Sequence, residues 1–388
     1  MCVIYLDANA TTPLADEVWG AMEPWLREYF HNPSSTHQGG KRARAALEEA
    51  RGIVAEWWGA REDEVIFTSG GTEAVNALLA GWDSVACEGY FLTSEVEHSA
   101  VLRSGQRMQR GMICCGVDSL GTLRKEEFAA KLKGAAFASV MAANNETGVI
   151  LDWRGAAEMA HSQGVPFFCD AVQAVGKIPL EVGSSAVDAM AISAHKFHGP
   201  KGSGALYVRR GCQFVPMLYG GGQEMGRRSG TENVAAIVGL AAAVKLSAKK
   251  LATGAMDDVA TIRDAFEAAV IRGIEGVVRN GDIASRLPNT SHLSFAGCEA
   301  AGLLILLDDM GVACSAGSAC MAGKQKPSHV QMAMGLSEAQ AKSSLRVSFS
   351  TINTMSEAQG AAMAVIRAVK KLRSVQGSGV GPVVIYTP

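Results

Sequence analysis

Apolar positions along the chain follow two alternating periods. From Lys41 to Trp58, Ala43, Ala46, Leu47, Ala50, Ile53, Val54, Trp57 and Trp58 recur at helical spacing with charges between them, which predicts an amphipathic helix. Short, nearly continuous apolar runs then appear: Glu64 to Phe67, Ala135 to Ala143, Val165 to Asp170, Asp188 to Ser193 and Gly204 to Arg210. Runs of that kind fit strands covered on both faces, as in a mainly parallel sheet flanked by helices. Asp257 to Arg272 reads as another helix, and after it the pattern shifts to a smaller α+β unit containing "TSHLSF" and "SLRVSFS". The expected organisation is a large α/β domain over 13–250 and a small α+β domain over 1–12 and 251–388, with a Gly/Pro-rich tail at the end.

The chain has 388 residues, 48% hydrophobic and 19% charged, as in soluble globular proteins, and long enough for a large core. A net charge of −2 gives no sign of a nucleic-acid footprint, so no direct nucleic-acid binding is expected. No signal-peptide pattern and no apolar run long enough for a membrane span occur, which predicts a cytoplasmic protein with no membrane attachment. The nine cysteines are odd in number and include no C-x-x-C pair, so neither a disulfide framework nor a zinc ribbon is indicated, and no metal site is expected. Neither G-x-G-x-x-G nor G-x-x-x-x-G-K-[ST] occurs, which removes the usual support for dinucleotide or nucleotide-triphosphate binding.

Six places carry candidate chemistry. "TSGGTEAVN" is a strand end, two glycines and a helix start, where backbone N–H groups at Gly71 and Thr72 and the Thr72 hydroxyl can cradle a phosphate; an ordinary strand–helix turn with a threonine cap is the equal alternative. Asp170 ends an apolar run in "FFCDAVQAVG", where a carboxylate calls for a cation; a helix cap, with Gln173 completing a capping box, fits the same letters. Lys196 ends another apolar run in "AISAHKFHGPKG", flanked by Ser193 and His195. A lysine there can attack a carbonyl, although a solvated loop lysine is the commoner fate. Together these are the groups that pyridoxal 5'-phosphate needs: donors for its phosphate, an anion for its ring nitrogen, and an amine for its aldehyde. His98 in "TSEVEHSAV" suits stacking and proton transfer, or simply a helix start. Cys320 lies among small residues in "ACSAGSACMAGKQKPSH", a setting that suits a reactive thiolate, with Cys314 as a rival, although a buried structural cysteine is the commoner fate of either. Arg346 in "SSLRVSFS" suits a carboxylate clamp or a surface ion pair.

In order and spacing, "YLDANATTPL", "NPSSTH", "FTSGGTEA", "VEHSAV", "NNETGV", "DAVQAVGK", "SAHKFHGPKGSGALYV", "GGGQEMGRRSGTEN", "GSAC" and "SSLRVSFS" resemble the cysteine desulfurases of the NifS/IscS type, class V aminotransferases of PLP fold type I. The resemblance covers most of the chain and implies a homodimeric enzyme that takes sulfur from L-cysteine. It implies that Lys196 bonds the cofactor aldehyde and Asp170 pairs with the ring nitrogen. Gln173 would donate to the phenolic oxygen, and His98 would stack on the ring and move protons. Gly71, Thr72, Ser193 and His195 would hold the phosphate, Thr231 would reach the partner subunit's phosphate, and Asn145 and Arg346 would bind the substrate carboxylate. Cys320 would take the sulfur as a persulfide and pass it to a protein acceptor, an iron–sulfur scaffold or a thiolation relay. Ala194 stands where the family usually has Gly. Lys324 and Lys326 follow Cys320 where neutral or acidic residues are usual, which bears on the choice of acceptor. A selenocysteine lyase or other PLP β-lyase, and a catalytically silent binding or scaffold protein of the same fold, are the alternatives.

Overall fold

The computed structural model describes residues 3–86, 88–316 and 327–376. Its strands are β1 (Ile4–Tyr5), β2 (Val65–Thr68), β3 (Tyr90–Ser94), β4 (Met112–Cys115), β5 (Ala135–Ser139), β6 (Phe167–Asp170), β7 (Ala189–Ser193), β8 (Gly204–Val208), β9 (Val277–Arg279), β10 (Thr290–Phe295), β11 (Val312–Ala313), β12 (Ser315–Ala316) and β13 (Ser344–Ser348). Its α-helices are α1 (Asp16–Arg27), α2 (Gln38–Trp58), α3 (Gly71–Val85), α4 (Ser99–Gly105), α5 (Lys125–Leu132), α6 (Trp153–Ser162), α7 (Val234–Ala252), α8 (Ala255–Gly273), α9 (Ala300–Asp309), α10 (His329–Ala333), α11 (Glu338–Ala341) and α12 (Met355–Gln376).

Among the described residues the large sheet has seven strands in the order β2-β8-β7-β6-β5-β3-β4. Strands β4, β3, β5, β6 and β7 run parallel. Strand β8 departs from the parallel expectation and pairs antiparallel with both β7 and β2. The reason is the connection: Ala194 to Ser203 holds only a 3-10 turn, too little for the crossover that a parallel neighbour requires.

Side chains along these strands alternate between two cores, as the pleat requires. Val65 and Phe67, Phe167 and Cys169, and Met190 and Ile192 enter one apolar cluster with residues of α2, α6 and α7. Ile66, Phe168, Ala189 and Ala191 enter the opposite cluster, which α3 covers with Ala74, Val75, Leu78, Leu79 and Trp82. Both faces are thus dry, which explains the unbroken apolar runs. Helix α2 buries Ala43, Leu47, Ala50, Val54 and Trp58 and stops at Gly59, whose φ of 63° a glycine adopts without steric cost.

A separate apolar cluster joins Leu6 to residues of α8, α9 and α12 and to the inner face of the antiparallel sheet β12-β13-β10-β9. Strand β1 pairs with β11, and Asp7 bridges to Ser348. Beyond that point the chain crosses to the large sheet, where Thr12 N–H donates to the His195 carbonyl at 2.8 Å. Residues 4–12 therefore touch both halves. No described helix is long and apolar enough to cross a membrane.

Candidate active site

Register alone brings the expected groups to one edge of the sheet. Thr68 pairs with Gly204, Gly204 with Ser193, and Asp170 with Ala191. The carboxyl ends of β2, β6 and β7 therefore lie side by side, where open α/β sheets bind ligands. The glycine turn leaves β2, Asp170 closes β6, and Ser193, His195 and Lys196 leave β7.

The turn fits an anion. Gly70 has φ 148°, open to glycine and strained for other residues. A Cβ on Gly71 would come within 2.6 Å of the Val172 side chain, and one on Gly204 within 2.7 Å of the Gly70 Cα. The packing leaves no room for side chains, so the backbone itself forms the surface. Gly71 and Thr72 open α3, where N–H groups have no preceding turn to accept them. The helix begins at Gly71 with Gly70 as its cap residue, so Thr72 is an exposed first-turn residue and not a helix cap. Ser193 Oγ lies beside this turn, 3.5 Å from where a Gly70 Cβ would stand.

Asp170 is buried and accepts the Val172 N–H at 3.0 Å. Burial raises its pKa, and the nearby His98 and Lys196 oppose the rise. No Lys or Arg forms a close ion pair with it among the described residues, so the site holds a carboxylate still in want of a cation. Gln173 is not part of a helix cap; its Nε2 donates to the Asn9 carbonyl at 2.8 Å.

The Lys196 Nζ donates to the carbonyls of Asn9 at 2.7 Å and Ala10 at 2.8 Å. Burial lowers its pKa to about 8; Arg346 adds to the fall, while Asp170 and Asp7 oppose it. An amine so placed keeps a useful neutral fraction near neutral pH. His195 Nδ1 lies 3.1 Å from Thr11 Oγ1, and burial lowers its pKa to about 4, so it is a neutral imidazole.

His98 caps α4, its Nδ1 accepting the Ala100 N–H at 3.2 Å, which leaves the proton on Nε2. The residue is exposed, yet desolvation by its surroundings lowers its pKa, against Asp170 and with Lys196 and His329. Arg346 is buried and pairs with Asp7 at 2.8 Å, while its Nη1 donates to the Asn145 carbonyl at 3.0 Å. Its Nε has no partner among the described atoms, so the fork is incompletely used. Thr231 is exposed, just before α7. Cys320 lies outside the described residues, as do the neighbouring Lys324 and Lys326.

Several residues at this edge were not singled out from the sequence. Asn9 fixes the inner wall: its Nδ2 donates to Thr290 Oγ1 at 2.9 Å, and its Oδ1 accepts Asn289 Nδ2 at 3.0 Å. Glu97, fully buried, accepts the Ser94 hydroxyl at 2.7 Å and the Met141 N–H at 2.8 Å, and burial raises its pKa to about 8. It ties the ends of β3 and β5 next to His98. Lys177 is buried and donates to the Gln173 carbonyl at 2.8 Å; burial lowers its pKa to about 7. A buried carboxylate or amine inside an apolar or small-residue run was the available signal, but only the fold shows what each touches.

The described cysteines are poor thiolates. Burial pushes Cys115 and Cys314 up to about 12 and Cys212 to about 11, and it also raises Cys114, Cys169 and Cys298. No group of His, Cys, Asp and Glu that could hold a metal occurs among the described residues.

An amine of lowered pKa, a buried carboxylate without a close cation and an anion turn therefore share one sheet edge. Residues 4–360 match the aminotransferase class-V family model. A cysteine desulfurase of Nostoc sp. is 41% identical over 380 residues, 97% of this chain and 95% of that protein. A solved NifS-like protein superposes with a TM-score of 0.87 at 32% identity, covering 97% of this chain and all of that one. The structure of SspA in complex with cysteine gives a TM-score of 0.77 at 30% identity over 89% of this chain and 98% of that one. The chain belongs to the class V aminotransferase family, among its cysteine desulfurases.

Proposed function

We propose that this chain is a pyridoxal-phosphate-dependent cysteine desulfurase that takes sulfur from L-cysteine, releases L-alanine and holds the sulfur as a persulfide on Cys320. The observation that carries the reading is the Lys196 amine, drawn down to about 8 and set at the same sheet edge as buried Asp170 and the Gly70–Thr72 turn. Lys196 would hold the cofactor covalently, Asp170 its ring nitrogen, and Gln173 its phenolic oxygen. Gly71, Thr72, Ser193 and His195 would hold its phosphate, with His98 against the ring. When bound, the cofactor supplies an electron sink that makes the substrate Cα–H acidic.

The chain's own residues do the rest. Lys196, once released, takes and returns the Cα proton, and His98 is placed to hold or move a second one. Arg346 and Asn145 orient the substrate carboxylate, the Arg346 fork exchanging part of its contact with Asp7. The Cys320 thiolate attacks the substrate sulfur. The S–S bond forms as the C–S bond breaks, its electron pair passes to Cβ, and Cβ takes a proton to become the alanine methyl. The raised pKa of every described cysteine supports giving the nucleophile's role to Cys320.

The enzyme would work as a homodimer, with Thr231 meeting the partner subunit's phosphate. The persulfide would pass to a protein acceptor, an iron–sulfur scaffold or a thiolation relay. Alanine formation and protein-bound persulfide, measured with L-cysteine for the wild type and Cys320→Ala, test the reading. Both products must fall together in the variant; sulfur release that survives the substitution would overturn the persulfide route.

A further inference from the structure

Glu73 stands at the third position of α3, inside the turn assigned above to the cofactor phosphate. Its Oε2 reaches back to accept the Ser69 N–H at 2.9 Å, which fixes the turn's shape. A carboxylate in a first helical turn stabilises the helix. The same charge repels any anion held by that helix end, so an acidic residue here works against phosphate binding.

Arg228 resolves the conflict. Its Nε lies 2.8 Å from Glu73 Oε1 and its Nη2 3.2 Å from Oε2, a two-pronged pair whose side chains are only 24% and 11% exposed. Burial acts against the Glu73 charge, but Arg228 and Ser69 outweigh it and keep the carboxyl ionised. Arg228 is itself held in place. Ser229 Oγ donates to the Gly221 carbonyl at 2.7 Å, and Gly230 N–H donates to Gln223 Oε1 at 3.1 Å. Next to these, Glu224 keeps a left-handed backbone, φ 49°, while it accepts two bonds from buried Arg51 at 2.8 and 2.9 Å.

We propose that Arg228 is a positioning residue for the phosphate site: by cancelling the charge of Glu73 it lets that carboxylate shape the Ser69–Thr72 turn without weakening the turn's hold on an anion. The inference rests on the cofactor assignment above. It predicts that the pair matters for the phosphate group and not for the pyridine ring.

The test is titration of the cofactor-free protein with pyridoxal 5'-phosphate and, separately, with pyridoxal, which lacks the phosphate. Arg228→Gln leaves a bare carboxylate and weakens pyridoxal 5'-phosphate roughly tenfold or more, while pyridoxal affinity stays unchanged. Glu73→Gln with Arg228→Gln removes the repulsion and recovers most of the loss. The proposal is overturned if Arg228→Gln binds pyridoxal 5'-phosphate as tightly as the wild type, if it loses both ligands alike, or if the double variant is no tighter than the single one. A wild type that binds the two ligands equally would instead bring down the cofactor assignment, and this inference with it.

Discussion

Lys196 and Gln173 converge on one backbone oxygen: the Asn9 carbonyl accepts the Lys196 amine at 2.7 Å and the Gln173 amide at 2.8 Å. Two segments that leave neighbouring strands, β6 and β7, are thereby tied to a third that follows β1. The amine is held by neutral carbonyls, so neither of its hydrogen-bond partners is an anion that would fix the ammonium form. Burial and Arg346 then draw its pKa down to about 8.

Lys196→Ala is expected to fold, because the residue contributes one amine to two carbonyls that can take water instead. Desulfurase activity should fall by on the order of a thousandfold or more. Adding a small primary amine in solution should restore part of it. Steady-state assays with and without the amine check this.

Glu97 gives a pH signature in stability. Burial raises its folded pKa to about 8 from the usual 4.5. Between those values the folded state holds a proton that the unfolded state has lost, so stability falls as pH rises, by up to about 1.4 kcal/mol per pH unit. Glu97→Gln keeps the Oε1 acceptor for Ser94 and Met141 and does not titrate. Its stability relative to the wild type should therefore grow from pH 5 to pH 8. Denaturant unfolding at several pH values measures it.

Arg346 separates substrate binding from the chemistry. Arg346→Lys loses the planar fork that bridges Asp7 and the Asn145 carbonyl at 2.8 and 3.0 Å. KM for L-cysteine should rise roughly tenfold or more while kcat changes less. Initial-rate kinetics over a wide range of cysteine concentrations give the split.

The Arg51–Glu224 pair is the structural counterpart. Both side chains are buried, at 5% and 2% exposure, so removing one leaves the other charged in a dry setting. Arg51→Met should cost about 3–5 kcal/mol of stability. Replacing both partners with apolar residues should cost less than the single change. Chemical denaturation of the single and double variants compares them.

Much of the large sheet was legible in the sequence because burial on both faces writes an apolar run at most of its strands, while β3 and the half-buried edge strand β4 were not singled out. Val165 to Asp170 and Asp188 to Ser193 point directly to β6 and β7, and the polar residue closing each run is the one that faces the site. The antiparallel turn of β8 was not legible, since Gly204 to Val208 has the same apolar composition as its parallel neighbours. Direction depends on how little chain joins β7 to it. The part played by Asn9 was hidden for a different reason. Its importance lies in a main-chain oxygen, which any residue possesses, and in contacts to Asn289 and Thr290 far along the chain. Glu73 and Arg228 are 155 residues apart, so their pairing appears only in three dimensions.

Covalent attachment of pyridoxal 5'-phosphate to Lys196 is what every assigned role at the site depends on. Reducing the cofactor-loaded enzyme with borohydride and mapping the modified peptide by mass spectrometry tests it directly. The expected result is a phosphopyridoxyl group on the peptide containing Lys196 and on no other lysine peptide. Stable labelling at Lys177 or Lys250 instead, or no labelled peptide at all, would contradict it.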